Sequence, residues 1–558
     1  MLTRLCLTVG MLLMATATFA GEVLYNGIVL PEQWPPQVKT LTREPLATPP
    51  YLISPPAVIP IDVGRQLFVD DFLIAETTLK RTYHLADLYP ENPVLKPDKP
   101  WENEGNGPKC GPMAMPFSGG VFYDPQDRLF KIWYMGSYSR YLCYAASRDG
   151  IHWDKPALDV KPGTNIVVPS AGGGANTVWL DLETKDPARR FVFITSHDGK
   201  DLLPPGKEWF GSLCSMTVQF SPDGVHWGAP VARVGPCGDR NSAFYNPFRK
   251  AWVYSIRGYW PVGGLPGPVR CRQYWEVKDL ATGPGWKYGE PPMWAGADRL
   301  DPPRPDRKSR TELYTLDCVG YESVMLGLFT IYHGGGNVPP GRPKPNNLCV
   351  CFSRDGFHWY RPDRRAFIPV SERQGDWNYG NVQSAGGCCL VVGDKLHFYA
   401  SGRAGGSPFH DAGGSTGLAT LRRDGFASMD AGEAEGTLIT RPVRFSGKYL
   451  FVNVDAPAGE LCAEVLDEKG NAVAPFTPGN CEPVRADRTL HQVKWRGVAD
   501  LSPLSEKPVR FCFHLKNGKL YSFWVSLEPS GASRGYVAAG GPGFLGPTDT
   551  VGASGHAR

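Results

Sequence analysis

The sequence predicts an all-β protein, a five-bladed β-propeller followed by a small C-terminal β-sandwich. Three features predict it. A seven-residue turn motif recurs almost unchanged, pairs of apolar strands precede the turns, and long helical periods are absent. The motif is Ser147-Arg148-Asp149-Gly150-Ile151-His152-Trp153. It returns at Ser221-Pro222-Asp223-Gly224-Val225-His226-Trp227 and at Ser353-Arg354-Asp355-Gly356-Phe357-His358-Trp359. Weaker echoes lie at Lys278-Asp279 with Gly285-Trp286 and at Arg423-Asp424-Gly425-Phe426. The five aspartates are 74, 56, 76 and 69 residues apart, which makes five units of similar length. An Asp-Gly pair between apolar runs is a hairpin signal.

The strand pairs follow one pattern. Residues 120–124 turn into 129–134, 177–181 into 190–194, 242–246 into 251–254, and 389–392 into 395–399. In the fourth unit the inner strand is expected over 323–331, followed by a Gly/Pro-rich loop at 334–345. Four-stranded antiparallel sheets repeated radially make a propeller, placed here at 61–432. Beyond it, alternating strands and hairpin turns at 433–528 suit a β-sandwich. The Gly- and Ser-rich residues 529–558 lack a core pattern and are expected to be a disordered tail. The proline-rich stretch 21–60 is expected to run extended over the propeller.

Residues 1–20 read as an export signal. Arg4 supplies the charge, residues 5–14 the apolar run, and Thr18 and Ala20 the small residues before a cut near Ala20. The mature chain is therefore expected to be secreted or periplasmic, with no membrane span. A net charge of +4 on 558 residues gives no reason to expect nucleic acid as partner. The 14 cysteines show no metal-ligand spacing and mostly sit in apolar runs, as buried thiols do. No metal or other cofactor is expected.

In a propeller the inner strands start around one end of the central channel, so distant polar residues converge there. Asp239 and Arg240 precede the third inner strand. Glu322 precedes the expected fourth, Asn176 the second, and Asn381 and Gln383 the fifth. Trp101 and Glu102 lie in the loop feeding the first, and Arg403 follows a second strand. Glycoside cleavage uses a protonated and an ionised carboxyl group. Glu322, among apolar neighbours that raise its pKa, is the candidate acid, and Asp239 the candidate base or nucleophile. Arg240, Asn176, Asn381, Gln383, Trp101, Glu102 and Arg403 are the candidate substrate-binding residues. A non-catalytic glycan-binding or scaffolding propeller is the alternative.

Five motifs resemble a family. They are residues 67–74, the Asp-Gly-x-His-Trp turns, residues 240–249, Tyr321-Glu322-Ser323, and residues 375–384. Together, over about residues 60–527, they resemble bacterial secreted proteins described as family-32-like glycoside hydrolases. More distantly they resemble glycoside hydrolase families 32, 43, 62 and 68. The resemblance implies a propeller with a sandwich and a secreted glycosidase acting on carbohydrate without a cofactor. Two positions depart from the family. Pro116 stands where the nucleophilic aspartate belongs, and Ala175-Asn176-Thr177 replaces the second-blade Arg-Asp-Pro. The sucrose-cleaving machinery does not carry over.

Overall fold

The computed structural model describes residues 21–104, 111–171, 176–262, 267–307, 309–334, 344–405 and 413–556. The export signal and most of the 334–345 loop lie outside them. The chain is nearly all-β. Its described α-helix is the single turn Pro50–Ile53, and no described helix is long and apolar enough to cross a membrane.

Five antiparallel sheets follow one another along the described chain. The first joins Val121–Asp124, Leu129–Gly136, Tyr141–Ser147 and Ile166–Val168, with Ala114–Met115 beside the end of the second strand. The second holds Asn176–Leu180, Phe191–Asp198, Cys214–Ser221 and Ala232–Cys237. The third holds Ser242–Asn246, Ala251–Trp260, Val269–Val277 and Met293–Gly296. The fourth holds Glu312–Glu322, Val324–Tyr332 and Asn346–Ser353. In the fifth, Asn381–Ser384 and Leu390–Val392 both pair with Lys395–Arg403, which pairs with Gly414–Arg422. Asp87–Leu88, from the N-terminal side of the chain, completes its outer edge.

The inner strands of these sheets touch in cyclic order. Gly120, just before the inner strand of the first, bridges Gly386, just past the innermost strand of the fifth. The repeated turns explain how. In each near-identical copy the aspartate caps its own turn: Asp149 accepts from the amides of Ile151 and His152, both at 2.8 Å. Asp223 and Asp355 do the same. The following glycine sits at φ +75°, +79° and +81° in the three copies, which a residue without Cβ adopts at little cost. The turn then docks on the preceding sheet. Trp133 of the first sheet donates to the Gly224 carbonyl at 2.7 Å, and Trp294 of the third to that of Phe357 at 2.9 Å. Tyr399 of the fifth donates to that of Gly150 at 2.6 Å. The motif is thus inter-sheet glue, and its histidines pair with the turn aspartates.

Two sheets with one core follow. One orders Asp487–Gln492, Tyr449–Asp455, Gly518–Ser526, Ala427–Ala431 and Lys80–Tyr83, and the other Ile74–Thr77, Gly436–Thr440, Arg510–Lys516 and Glu460–Leu466. Their side chains meet in an apolar core that contains Val452, Phe511, Phe513 and Phe523. The strands Gln66–Leu67, Ile74–Thr77 and Lys80–Tyr83 pair with these C-terminal sheets and not within the region 61–432 where the sequence placed them. The twelve described cysteines are free thiols, and all but Cys462 are buried.

Two expectations are overturned. The fourth inner strand is Glu312–Glu322, not 323–331, because two apolar strands meet with no Gly, Asn or Pro between them. Glu322 itself takes the left-handed turn position, at φ +49°. The segment 529–556 is not an open tail. Tyr536–Val537 pairs with the end of Glu312–Glu322. The Tyr123 amide donates to the Ala539 carbonyl at 2.9 Å, and the Val391 amide to that of Gly540 at 2.9 Å. The glycines that read as disorder permit close approach. A Cβ on Gly541 would lie 1.7 Å from the Val391 oxygen, and one on Gly535 2.1 Å from a Glu322 oxygen.

Candidate functional site

The register of the fourth sheet decides which residues can meet where the inner strands start, called the mouth below. Glu322 ends its inner strand, so it faces the end opposite the strand starts. It is fully buried. Its Oε2 accepts from the Arg65 amide at 3.1 Å and from Ser533 Oγ at 2.7 Å. Its Oε1 accepts from Arg423 at 3.0 Å. Arg65 reaches on to Asp424 at 3.0 Å, and Arg423 to Asp549 at 3.3 Å. Burial raises the Glu322 pKa against the opposing pull of Arg423 and Arg65. This hub ties the N-terminal segment, the fourth sheet, the C-terminal sheets and the tail together. The assignment of Glu322 as catalytic acid is corrected: it has no route to a substrate at the mouth.

Glu102 and Trp101 are also corrected. Glu102 is buried and accepts from the amides of Asp98 and Lys99, from Tyr134 and from Lys155. It anchors the turn Pro100–Asn103. Trp101 donates to Asn165 at 2.8 Å and packs on the core. Asn176 starts the second inner strand and accepts from Thr195 at 2.7 Å. Trp294 is buried packing, and Trp377 lies under Gly402 and Gly417.

Asp239, Arg240, Asn381, Gln383 and Arg403 do gather at the strand starts. Arg240, 5% exposed, adopts φ +58° and lies flat on Phe117, its guanidinium carbon 3.8 Å from the ring centre. It donates to Tyr138 Oη at 3.0 Å. Arg403 comes from the fifth sheet to the same rings, 5.2 Å from Phe117 and 5.4 Å from Tyr138. Arg257 pairs with Asp239 at 2.9 Å, stacks 4.5 Å from the Tyr314 ring and donates to the Tyr314 carbonyl. Gln383 donates to Asn381, and Asn381 to the Lys344 carbonyl at 2.5 Å. Farther along the fourth inner strand, Asp317 is buried and accepts from Ser384, and burial raises its pKa.

The charges here set the titration. Burial would push the Tyr314 phenol up, but Arg240, Arg257 and Lys344 outweigh it and bring it down to about 7. Arg240, against burial and aided by Arg403, lowers Tyr138 as well. Burial would raise Asp239, but Arg257 and Arg240 hold it below the usual carboxylate range. At neutral pH the mouth therefore carries an ionised carboxylate beside a phenol that both gives and takes a proton.

Sequence reasoning missed Phe117, Tyr138, Tyr314 and Lys344. Tyr314 was recoverable, since it stands near the start of 313–319, a mainly apolar stretch interrupted by Thr315 and Asp317 that forms the true inner strand. Tyr138 and Lys344 sit in loops and carry no local signal.

A groove of about 320 Å³ lies beside the third sheet, lined by Trp209, Phe210, Tyr259, Trp260, Gln273 and Tyr288. Phe210 meets Tyr259 edge-on at 5.0 Å. From Tyr259 a line of contacts runs through Arg270, 5.9 Å away, and Tyr332, 4.9 Å from Arg270, to Tyr314 at 5.8 Å. Among the described residues Glu464, Cys512 and His514 are the one group with metal-ligand character. His514 there lies between the carboxylates of Glu435 and Glu464, at 3.3 and 3.0 Å.

No protein-family model matches the chain, and no curated protein sequence does. Solved structures resemble it at low identity. An N-acetylgalactosamine deacetylase from F. plautii, in complex with blood group B trisaccharide, is 14% identical over 63% of this chain and 96% of its own, with a TM-score of 0.37. A thermostable family-43 glycoside hydrolase is 10% identical over 59% and 95%, with a TM-score of 0.36. A fructofuranosidase from Schwanniomyces occidentalis, complexed with fructosylnystose, is 12% identical over 78% and 98%, with a TM-score of 0.31. At these scores the site has to be read from its own residues.

Proposed function

We propose that the chain is an exported, family-32-like five-bladed β-propeller with a C-terminal β-sandwich, and that it binds a glycan at the mouth and hydrolyses a glycosidic bond there. The cyclic contact of the inner strands supports the ring. The function rests on one observation, the meeting of Asp239 and Tyr314 across Arg257 where the inner strands start. Hydrolysis needs a proton for the leaving oxygen and a base or nucleophile on the other side. A phenol brought near neutrality and a carboxylate held ionised fit those roles. Tyr314, with its phenol near 7, donates the proton, and Asp239, held ionised, activates water or attacks the sugar. The neighbouring aromatic groove offers sugar rings flat faces to stack on.

The test is product release from a glycan panel by the full chain. Asp239→Asn and Tyr314→Phe are each expected to lower turnover at least a hundredfold while circular dichroism is unchanged. Undiminished turnover in both variants would end the assignment. A second reading, binding without cleavage, is favoured by a specific observation. Asp239 and Glu312, the carboxylates at the third and fourth strand starts, are both held by arginines, Arg257 and Arg270. Sugar affinity by calorimetry with no product from any glycan would select it.

A further inference from the structure

The mouth carries more positive charge than a neutral sugar needs. Arg240, Arg257, Lys344 and Arg403 all act on the same two phenols, Tyr138 and Tyr314, and three of these cations are arginines drawn from the third and fifth sheets. Like charges gathered in a buried place repel one another, and burial together with Arg240 lowers the pKa of Arg403. The carboxylate facing them, Asp239, is paired with Arg257 at 2.9 Å.

Arg240 is the informative residue. It is nine-tenths buried, lies at φ +58° and has one terminal nitrogen committed to Tyr138. Its other terminal nitrogen, Nη1, is buried with no hydrogen-bond partner of good geometry among the described residues, although the Tyr314 phenol lies close enough to interact. A buried guanidinium N–H left unpaired costs free energy unless something completes it. Backbone strain of this kind persists where the surroundings enforce it, and it clusters at ligand clamps. Phe117, 3.8 Å below the guanidinium, fixes its plane so that the fork presents in one orientation.

We propose that the mouth recognises an acidic sugar, a saccharide bearing a carboxylate or a sulfate ester, whose oxyanion is clamped by Arg240 and Arg403. Both oxyanions accept the paired N–H groups of a guanidinium, and that pairing is the shared chemistry. Neutralising the cluster gives the ligand charge its binding role. The inference rests on the reading of the mouth as a carbohydrate site and names the class of carbohydrate.

The test is calorimetry on the full chain with three probes: a trigalacturonate, the neutral galactotriose of matching length, and a sulfated galactotriose. At least one acidic probe is expected to bind ten times or more tighter than the neutral one, and which one wins identifies the oxyanion. That advantage is expected to shrink as salt rises and to vanish in Arg240→Ala. Arg240→Lys and Arg403→Lys keep the charge but lose the fork, and each is expected to cost the acidic probe about tenfold, which covers the case in which the alanine variant does not fold. Equal affinity for neutral and acidic probes would overturn this inference and leave the carbohydrate site standing. Failure of all three probes to bind would overturn both.

Discussion

Removing the Tyr314 hydroxyl tests the electrostatics of the mouth without reference to any substrate. The phenol falls from an ordinary 10.0 to about 7 because Arg240, Arg257 and Lys344 together outweigh burial. Three pKa units correspond to about 4 kcal/mol of preference for the phenolate. The sign follows from linkage. The folded pKa lies below the unfolded one, so the added stability is absent well below pH 7, grows between pH 7 and 10, and is complete above 10. Relative to Tyr314→Phe, the wild type should gain about 1 kcal/mol at pH 8 and about 3 kcal/mol at pH 9, and nothing at pH 6. Urea midpoints of the two proteins at the three pH values measure this, and phenolate absorbance in the near ultraviolet measures the titration directly. Tyr138→Phe separates the contribution of the second phenol. The reasoning is refuted if no tyrosine ionises below pH 9, or if one does so equally in Tyr314→Phe.

Further outcomes are expected elsewhere. Arg423→Met removes a guanidinium from between Glu322 and Asp549 and leaves buried carboxylates under-compensated, so unfolding should become easier by about 3–5 kcal/mol. Any glycan affinity should survive in the folded fraction, read by urea denaturation and calorimetry side by side. A chain ending at residue 528 loses Tyr536–Val537 from the fourth sheet and Ser533 and Asp549 from the buried hub. It should melt well below the full chain in a calorimetric scan, and an unchanged transition would show the tail to be dispensable. Gly224→Ala places a Cβ at φ +79° and 2.4 Å from the Trp133 ring, and about 2 kcal/mol of stability should go with it. Trp260→Ala in the aromatic groove should weaken an oligosaccharide that spans groove and mouth by about 1 kcal/mol, and leave a monosaccharide unaffected.

Much of the fold was legible because its determinants are local. Each Asp-Gly turn closes through bonds within three residues of its own aspartate, so the motif that repeats in the sequence is the motif that repeats in space. The strand pairs in the first three units appear where alternating apolar residues and Pro or Gly turns put them. The position of Asp239 and Arg240 was legible for the same reason, since they precede a strand whose start the sequence marks.

What failed lacks a local cause. The turn at Glu322 has no turn residue; it is held by Arg65 and Arg423, 257 and 101 positions away. A glutamate among apolar neighbours looks the same in one dimension whether it lines a channel or closes a buried hub, and one misplaced strand moved it to the wrong end of the ring. The glycine-rich tail reads as disorder until its carbonyl partners on three other sheets are seen, because composition reports flexibility and not the space that demands it. Residue order alone determined the β class, the repeating unit and the strand starts of the first three sheets. Only the tertiary structure decided which of those starts meet, since Phe117, Tyr138, Arg240, Tyr314 and Arg403 come from different sheets and no single segment contains their contacts.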